Sequence, residues 1–268
     1  MPPEVSPPEV SPSQLAPTAS FRCRRVRSVP DSHFDEPRLA ALYDPLDPDR
    51  GDLDVYAAIV EEFAASSVLD IGCGTGTFAC MLARRGVDVI GVDPAGASLA
   101  VARAKPDADA VRWLHGDATS LPPLQVDLAT MTGNVAQVFL TDDEWDSTLH
   151  GVRAALRPGG RLVFETRDPA RKAWLDWNGT QTRADIPGVG VVETGVDVTG
   201  VAGGLVSFRG TYVFESDGAV LTSESTLRFR SADEVTRSLL TAGFVVDGVR
   251  DAPDRPGLEF VFVARRPE

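Results

Sequence analysis

Lysine occurs at only two of the 268 positions, Lys105 and Lys172. Neither is followed by Ser or Thr, so the phosphate-loop signature is absent. The three cysteines, Cys23, Cys73 and Cys80, have no metal-ligand spacing and no partner pattern for a disulfide framework. No run approaches the ~20 apolar residues of a membrane span, and the first residues lack the apolar stretch of a secretory signal. Positive charge is also short. The net charge is −13, and beyond residue 30 it is −15, from 22 basic and 37 acidic side chains. Such a surface repels a phosphate backbone. Neither nucleic acid nor membrane is therefore an expected partner, and a cytoplasmic location is the default expectation.

Proline and serine are concentrated at the start. Residues 1–30 hold the tandem Pro2-Pro3-Glu4-Val5-Ser6 and Pro7-Pro8-Glu9-Val10-Ser11. A stretch of this composition buries too little apolar area to offset its ordering entropy. The expectation is a disordered tail over 1–30 and a folded domain over 31–268.

The chain is organised around Ser66–Gly76. Val68, Leu69 and Ile71 read as a buried strand, followed by glycine at 72, 74 and 76. From Thr77 to Arg85 the spacing turns helical, with Phe78, Met81 and Leu82 on one face. A sharp turn against a bound group has no room for Cβ, and the helix behind it aims free N–H groups into the turn. This is a nucleotide-type turn at the carboxyl end of a strand. The third glycine falls one place too early for the dinucleotide fingerprint.

Further strands follow at regular intervals. Val87–Val92 ends in Asp93-Pro94; Val111–Leu114 precedes His115, Gly116, Asp117 and Ala118; Val126–Met131 leads to Thr132-Gly133-Asn134. A helix over 143–156 stops at Arg157-Pro158-Gly159-Gly160, and a fifth strand runs to Glu165-Thr166. Strands alternating with helices predict an α/β fold with a doubly wound, mostly parallel sheet. Asp93 stands 17 residues after Gly76, where a ribose-binding acid belongs, and a carboxylate accepts from both ribose hydroxyls at once.

The strings Val68–Gly76, Gly91-Val92-Asp93-Pro94, Gly116-Asp117-Ala118 and Leu156–Leu162, in this order and spacing, resemble the class I S-adenosylmethionine-dependent methyltransferases. Helix 231–242, strand 244–250 and Glu259–Arg265 are similar to that family's closing helix and hairpin, which implies a seven-stranded sheet. The resemblance implies S-adenosylmethionine as cofactor. It places Gly72, Gly74, Thr75 and Gly76 against the methionine part, with Asp70 anchoring the turn, Asp93 and Pro94 at the ribose, and Asp117 and Ala118 at the adenine. Thr132, Gly133 and Asn134 would face the methyl group. Candidates on the acceptor side are Tyr43, Glu165 and Arg167 for catalysis and Gln137 and Trp174 for binding. Asp117 has a second reading as a turn residue and Asp93 one as a helix cap. His115, at a strand end beside the adenine site, reads as a hydrogen-bonded structural histidine, and His33 and His150 have no triad partner in view. Asp168 alone does not make a metal site, so no metal is expected.

Residues 178–230 depart from a minimal member of that family. Three loosely alternating strands, 189–198, 205–214 and 220–230, with a turn at Ser216-Asp217-Gly218, predict an antiparallel insertion after strand five, serving as a lid or a dimer surface. Segment 35–52 and this insertion are expected to close the acceptor site from two sides. Methyl transfer to nitrogen or oxygen of a small molecule is the leading expectation. Non-methylating chemistry on the same fold, such as cyclisation or aminopropyl transfer, and a cofactor-binding regulator are the alternatives.

Overall fold

The computed structural model describes residues 29–268. The tail expected over 1–30 lies, but for its last two residues, outside the described residues, as does Cys23.

The described residues begin with three one-turn helices, α1 (Ser32–Asp35), α2 (Pro37–Ala40) and α3 (Tyr43–Leu46), and continue with α4 (Asp52–Glu62). Then β1 (Ser67–Ile71), α5 (Thr77–Arg84), β2 (Asp88–Asp93), α6 (Gly96–Arg103), β3 (Val111–His115), β4 (Val126–Met131), α7 (Asp142–Ala155) and β5 (Leu156–Arg167) alternate. A further single turn, α8 (Trp174–Trp177), leads into β6 (Thr180–Ile186), β7 (Gly190–Ala202), β8 (Leu205–Phe214) and β9 (Val220–Arg228). The chain closes with α9 (Ala232–Thr241), β10 (Val245–Asp251) and β11 (Glu259–Arg265).

Seven strands form one sheet in the order β10-β11-β5-β4-β1-β2-β3. The five strands of the alternating part pair parallel, and β11 runs antiparallel against both β5 and β10. Because successive side chains leave a strand on opposite faces, each strand feeds two cores. Leu69, Ile71, Ala129, Met131, Leu162, Phe164 and Phe262 pack under α7 and α9; Val68, Leu128, Val163 and Val261 pack under α4 and α5. Each fully buried large side chain contributes about 1.5–3 kcal/mol. On the α4 side the apolar row changes character at the carboxyl ends of the parallel strands. Asp70, Thr130, Glu165 and Arg167, with Glu259 across from Arg167, continue it in polar residues.

Two expectations need revising. Residues 180–230 form four antiparallel strands, β6-β7-β8-β9, rather than three. The extra strand, β6, is an edge strand with mostly exposed Thr, Gln and Arg, so it has no apolar alternation to announce it. The Pro-Gly-Gly stop does not separate α7 from β5 either. Leu156 already pairs with Val126 and Arg161 with Leu128, so residues 157–160 loop out of a strand that begins directly after the helix.

Segment 29–50 lies between the small sheet and the glycine turn. Leu39 and Leu42 pack with Ile186, Val192, Tyr212 and Phe214 of the small sheet. The Tyr212 hydroxyl is 2.6 Å from His33 Nδ1, and the His33 backbone N–H donates to Ser223 Oγ at 2.8 Å. On the other side the Ser98 hydroxyl of α6 donates to the Phe34 carbonyl at 2.7 Å.

Candidate functional site

The glycine turn is shaped by three residues with three different constraints. Gly72, Gly74 and Gly76 all have positive φ, +66°, +52° and +77°. A Cβ on Gly72 would meet the Val135 side chain at 2.6 Å, and one on Gly76 would meet Trp113 at 2.4 Å and Ala102 at 2.8 Å. One on Gly74 would meet nothing within 4 Å. The outer two glycines therefore make room for the protein's own packing, while Gly74 faces open space.

That space is a cavity of about 350 Å³, within the range of small-molecule sites. Gly72–Thr75, Asp93–Ala95 and Thr132–Gly133 line it from the carboxyl ends of β1, β2 and β4, and Val138, Leu140 and Glu144 from the approach to α7. Phe34, Tyr43 and Arg50 line it from the amino-terminal segment, and Glu224 and Thr226 from β9. The two segments expected to cover the opening thus both border it.

Asp93 is 7 % exposed. Its carboxylate accepts from the Gly74 N–H at 2.8 Å and the Ala95 N–H at 2.7 Å, one on each oxygen. Burial raises its pKa, against these two hydrogen bonds. Asp44, on α3, reaches across to the turn. It accepts from the Thr75 hydroxyl at 2.7 Å and the Thr77 hydroxyl at 3.1 Å and pairs with Lys105 at 2.6 Å. The amino-terminal segment is thereby fastened beside α5, whose first turn has no side-chain cap of its own.

Behind the cavity wall lies a polar cluster. Asp70 is 1 % exposed, takes a 3.0 Å bond from the Thr130 hydroxyl, and is pushed up to about 7 by burial. Glu165, 3 % exposed, accepts from the Asn134 N–H at 2.7 Å and faces the Tyr56 hydroxyl, and burial pushes it up to about 7 as well. The Asn134 side chain donates to Glu259 at 3.3 Å, and Arg167 donates to Gln137 Oε1 at 2.9 Å. Arg167 also lies 3.6 Å from Glu259 and 5.0 Å from the Trp177 ring centre. One atom each of Asp70, Asn134, Gln137 and Glu165 is buried without a hydrogen-bond partner among the described residues.

Of the residues singled out from sequence, Tyr43, Gly72, Gly74, Thr75, Asp93, Pro94, Thr132 and Gly133 line the cavity. Asp70, Gly76, Asn134, Gln137, Glu165 and Arg167 are not among its lining residues; apart from Gly76, which packs on Trp113, they belong to the cluster behind it. Asp117 and Ala118 are not among its lining residues either. The Asp117 carboxylate accepts from the N–H and hydroxyl of Thr119 at 2.8 Å and 2.6 Å, and Ala118 borders a separate depression with Leu121 and Gly151. Trp174 packs edge-on against Phe229, ring centres 4.8 Å apart. Among the described residues no group of three or more His, Cys, Asp or Glu is placed to hold a metal.

Sequence reasoning passed over Arg50, Asp44 and Tyr56. Arg50 is the one cation among the described residues lining the cavity, against Asp31, Asp93, Glu144 and Glu224. It sits in the run Asp44–Asp52, whose composition reads only as a loop. Tyr56 follows the apolar spacing of α4 and looks like core until its hydroxyl is located.

Asp70 and Glu165, the carboxyls raised furthest, dominate the pH dependence of stability. Between about pH 4.5 and 7 native Asp70 and Glu165 hold protons that the unfolded chain has lost, so stability falls as pH rises through that window. Neutral buried His33, lowered to about 4, acts in the opposite sense between about 4 and 6.5. With two groups against one, thermal melts at pH 5 and pH 7.5 are expected to show a net loss of about 3 kcal/mol, roughly 6–12 °C. The double variant Asp70→Asn, Glu165→Gln should remove that loss.

The sheet order, with its antiparallel β11 beside β5 and a glycine turn at the carboxyl end of the central strand, defines a class I, Rossmann-like methyltransferase fold. Residues 68–160 match the family described as "Methyltransferase domain". The cypemycin N-terminal methyltransferase of a Streptomyces species is 33% identical over 105 residues, 39% of this chain and 43% of that protein. The chain spans about half the length of the curated relatives it matches. Among solved structures, an S-adenosylmethionine-dependent methyltransferase from Clostridium acetobutylicum superposes with TM-score 0.70 at 17% identity, covering 86% of this chain and 98% of that one. The S-adenosylmethionine-bound CalS10, an amino pentose methyltransferase from Micromonospora echinaspora, superposes with TM-score 0.66 at 24% identity, covering 84% and 96%.

Proposed function

We propose that this protein transfers a methyl group from S-adenosylmethionine to a nitrogen or oxygen of a small-molecule acceptor. The observation that carries this reading is the cradle at Gly74, where a left-handed glycine facing open space stands beside a buried carboxylate with spare acceptor capacity. A ribose fits against Asp93. Arg50, the cavity's cation, suits the cofactor's amino-acid carboxylate, and Pro94, Ala95, Val138 and Leu140 offer apolar surface to a flat base. Asp117 and Ala118, which the resemblance places at the adenine, are not among the cavity's lining residues.

S-adenosylmethionine bound here supplies a methyl group on a positively charged sulfur. What remains for the protein is to align the acceptor and keep water away, because an in-line displacement gains most from positioning. Phe34, Tyr43 and β9 cover the opening. Burial raises the Tyr43 pKa, so its hydroxyl stays protonated and serves as a donor or an aromatic wall rather than as a base. Nitrogen acceptors draw support from the amino pentose and N-terminal methyltransferases among the similar proteins.

The test is titration calorimetry with S-adenosylmethionine and S-adenosylhomocysteine, followed by a screen of small amines and hydroxyl compounds with methyl-labelled cofactor. Binding of both and labelled product with at least one acceptor are expected. Binding with cofactor breakdown but no labelled product would point to other chemistry on the same fold. Absence of binding would overturn the reading.

A further inference from the structure

We propose that Glu165 is a positioning residue for the cofactor cavity, holding the loop after β4 in the shape that forms one cavity wall. The proposal rests on the reading that this cavity takes S-adenosylmethionine. The residue type and its place at the end of β5 suggested a group facing the acceptor. Its contacts assign it to the loop instead.

After Met131 the backbone turns through two consecutive left-handed residues, Gly133 at φ +72° and Asn134 at φ +62°. Asparagine tolerates this region better than most residues, yet the conformation is strained for any side chain-bearing residue. It aims successive N–H groups at one point, the arrangement that binds an anion. Here the anion is internal: the Asn134 N–H donates to Glu165 Oε1 at 2.7 Å, and the Gly133 N–H lies beside the same carboxylate. The Tyr56 hydroxyl, from α4, faces that carboxylate as a further donor group. Burial raises the Tyr56 pKa, so that hydroxyl keeps its proton throughout the working range. One carboxylate thus ties the β4 loop to α4 and β5, and the outer side of that loop, Thr132 and Gly133, lines the cavity.

The charge on Glu165 decides how strongly the loop is held, because a carboxylate accepts hydrogen bonds far better than a neutral acid. Its other charged neighbours are Asp70 on β1, Glu259 on β11, Arg167 on β5 and Arg255 before β11. Burial and the nearby Glu259 oppose the charge, while the three donors favour it. A loop set by the ionised form makes affinity for the cofactor rise with pH through the titration of this group.

The experiment is calorimetric titration of the full chain with S-adenosylhomocysteine from pH 6 to 8.5, in wild type, Glu165→Gln and Tyr56→Phe. Glu165→Gln places an amide N–H₂ against backbone donors and is expected to weaken binding at least tenfold at pH 8. Tyr56→Phe keeps the carboxylate and removes one donor, so the rise in affinity should move to higher pH by half a unit or more. A role confined to packing would lower the melting temperature and leave that profile where it was. A Tyr56→Phe profile that overlays the wild type overturns the proposal, whether or not Glu165→Gln folds. Wild type that fails to bind S-adenosylhomocysteine at any pH overturns the cofactor reading and this proposal with it.

Discussion

Replacing Asp93 with alanine is expected to weaken S-adenosylmethionine and S-adenosylhomocysteine alike, by about a hundredfold. Each Asp93 oxygen already accepts one backbone N–H, from Gly74 or Ala95, and each has a second acceptor position. A pair of ribose hydroxyls takes those positions as hydrogen bonds to a charged acceptor, ~1.5–3 kcal/mol each. Two such bonds at the low end give about 3 kcal/mol, a little over two decades in affinity. The substitution also frees the Gly74 N–H and loosens the turn. Asp93→Asn keeps an acceptor for one backbone N–H and sets an amide N–H₂ against the other, so it should fall between wild type and alanine. Calorimetry with both ligands checks this. Affinity unchanged in Asp93→Ala would remove the residue from the ribose site, and tight binding of nicotinamide adenine dinucleotide in place of S-adenosylmethionine would remove the cofactor assignment.

The parallel sheet was legible because its signals are local. A run such as Val68–Ile71 ending in spaced glycines, or Val87–Val92 ending in Asp-Pro, reports strand, turn and ligand side together. The closing α9 and the β10–β11 pair were readable for the same reason: Ser231 and Glu234 make a capping box, and Gly243 follows the helix. The site was legible only where its residues sit next to a turn. Gly72, Gly74, Asp93 and Thr132 come from strand ends, which any α/β sheet gathers at one edge.

What stayed hidden depends on long-range partners. Nothing in Asp44-Pro45-Leu46-Asp47 says that its first carboxylate will meet Thr75, Thr77 and Lys105, thirty to sixty residues away. Glu165, Arg167 and Glu259 share a face by strand parity, but that parity was masked because the cluster is assembled from β1, β4, β5 and β11, and the register between β5 and β11 is invisible in the sequence. β6 was missed because an exposed edge strand pairs through its backbone and needs no apolar period.

The glycine turn provides a separation of folding from binding, in which Gly76→Ala is expected to injure the first and Gly74→Ala the second. At Gly76 a methyl group would sit 2.4 Å from the Trp113 ring and 2.8 Å from the Ala102 side chain, on a residue with φ +77°. Left-handed backbone costs roughly 1–2 kcal/mol for an alanine, and forcing a methyl into a packed core adds ~1–3 kcal/mol. The sum, about 2–5 kcal/mol, corresponds to a melting temperature lower by roughly 4–20 °C. The Trp113 indole is held by a 3.0 Å bond to the Ala108 carbonyl, so it does not swing aside freely. At Gly74 the added methyl meets no atom of the described residues within 4 Å, and only the backbone cost applies, a loss of a few degrees. Yet Gly74 lines the cavity, and a methyl there occupies the surface the cofactor would touch, so affinity for S-adenosylhomocysteine should fall at least tenfold. Thermal melts and calorimetry on the two variants decide the matter. A Gly76→Ala protein that melts with wild type would mean that Trp113 yields, and Gly74→Ala with wild-type affinity would mean that the bound ligand does not reach the turn.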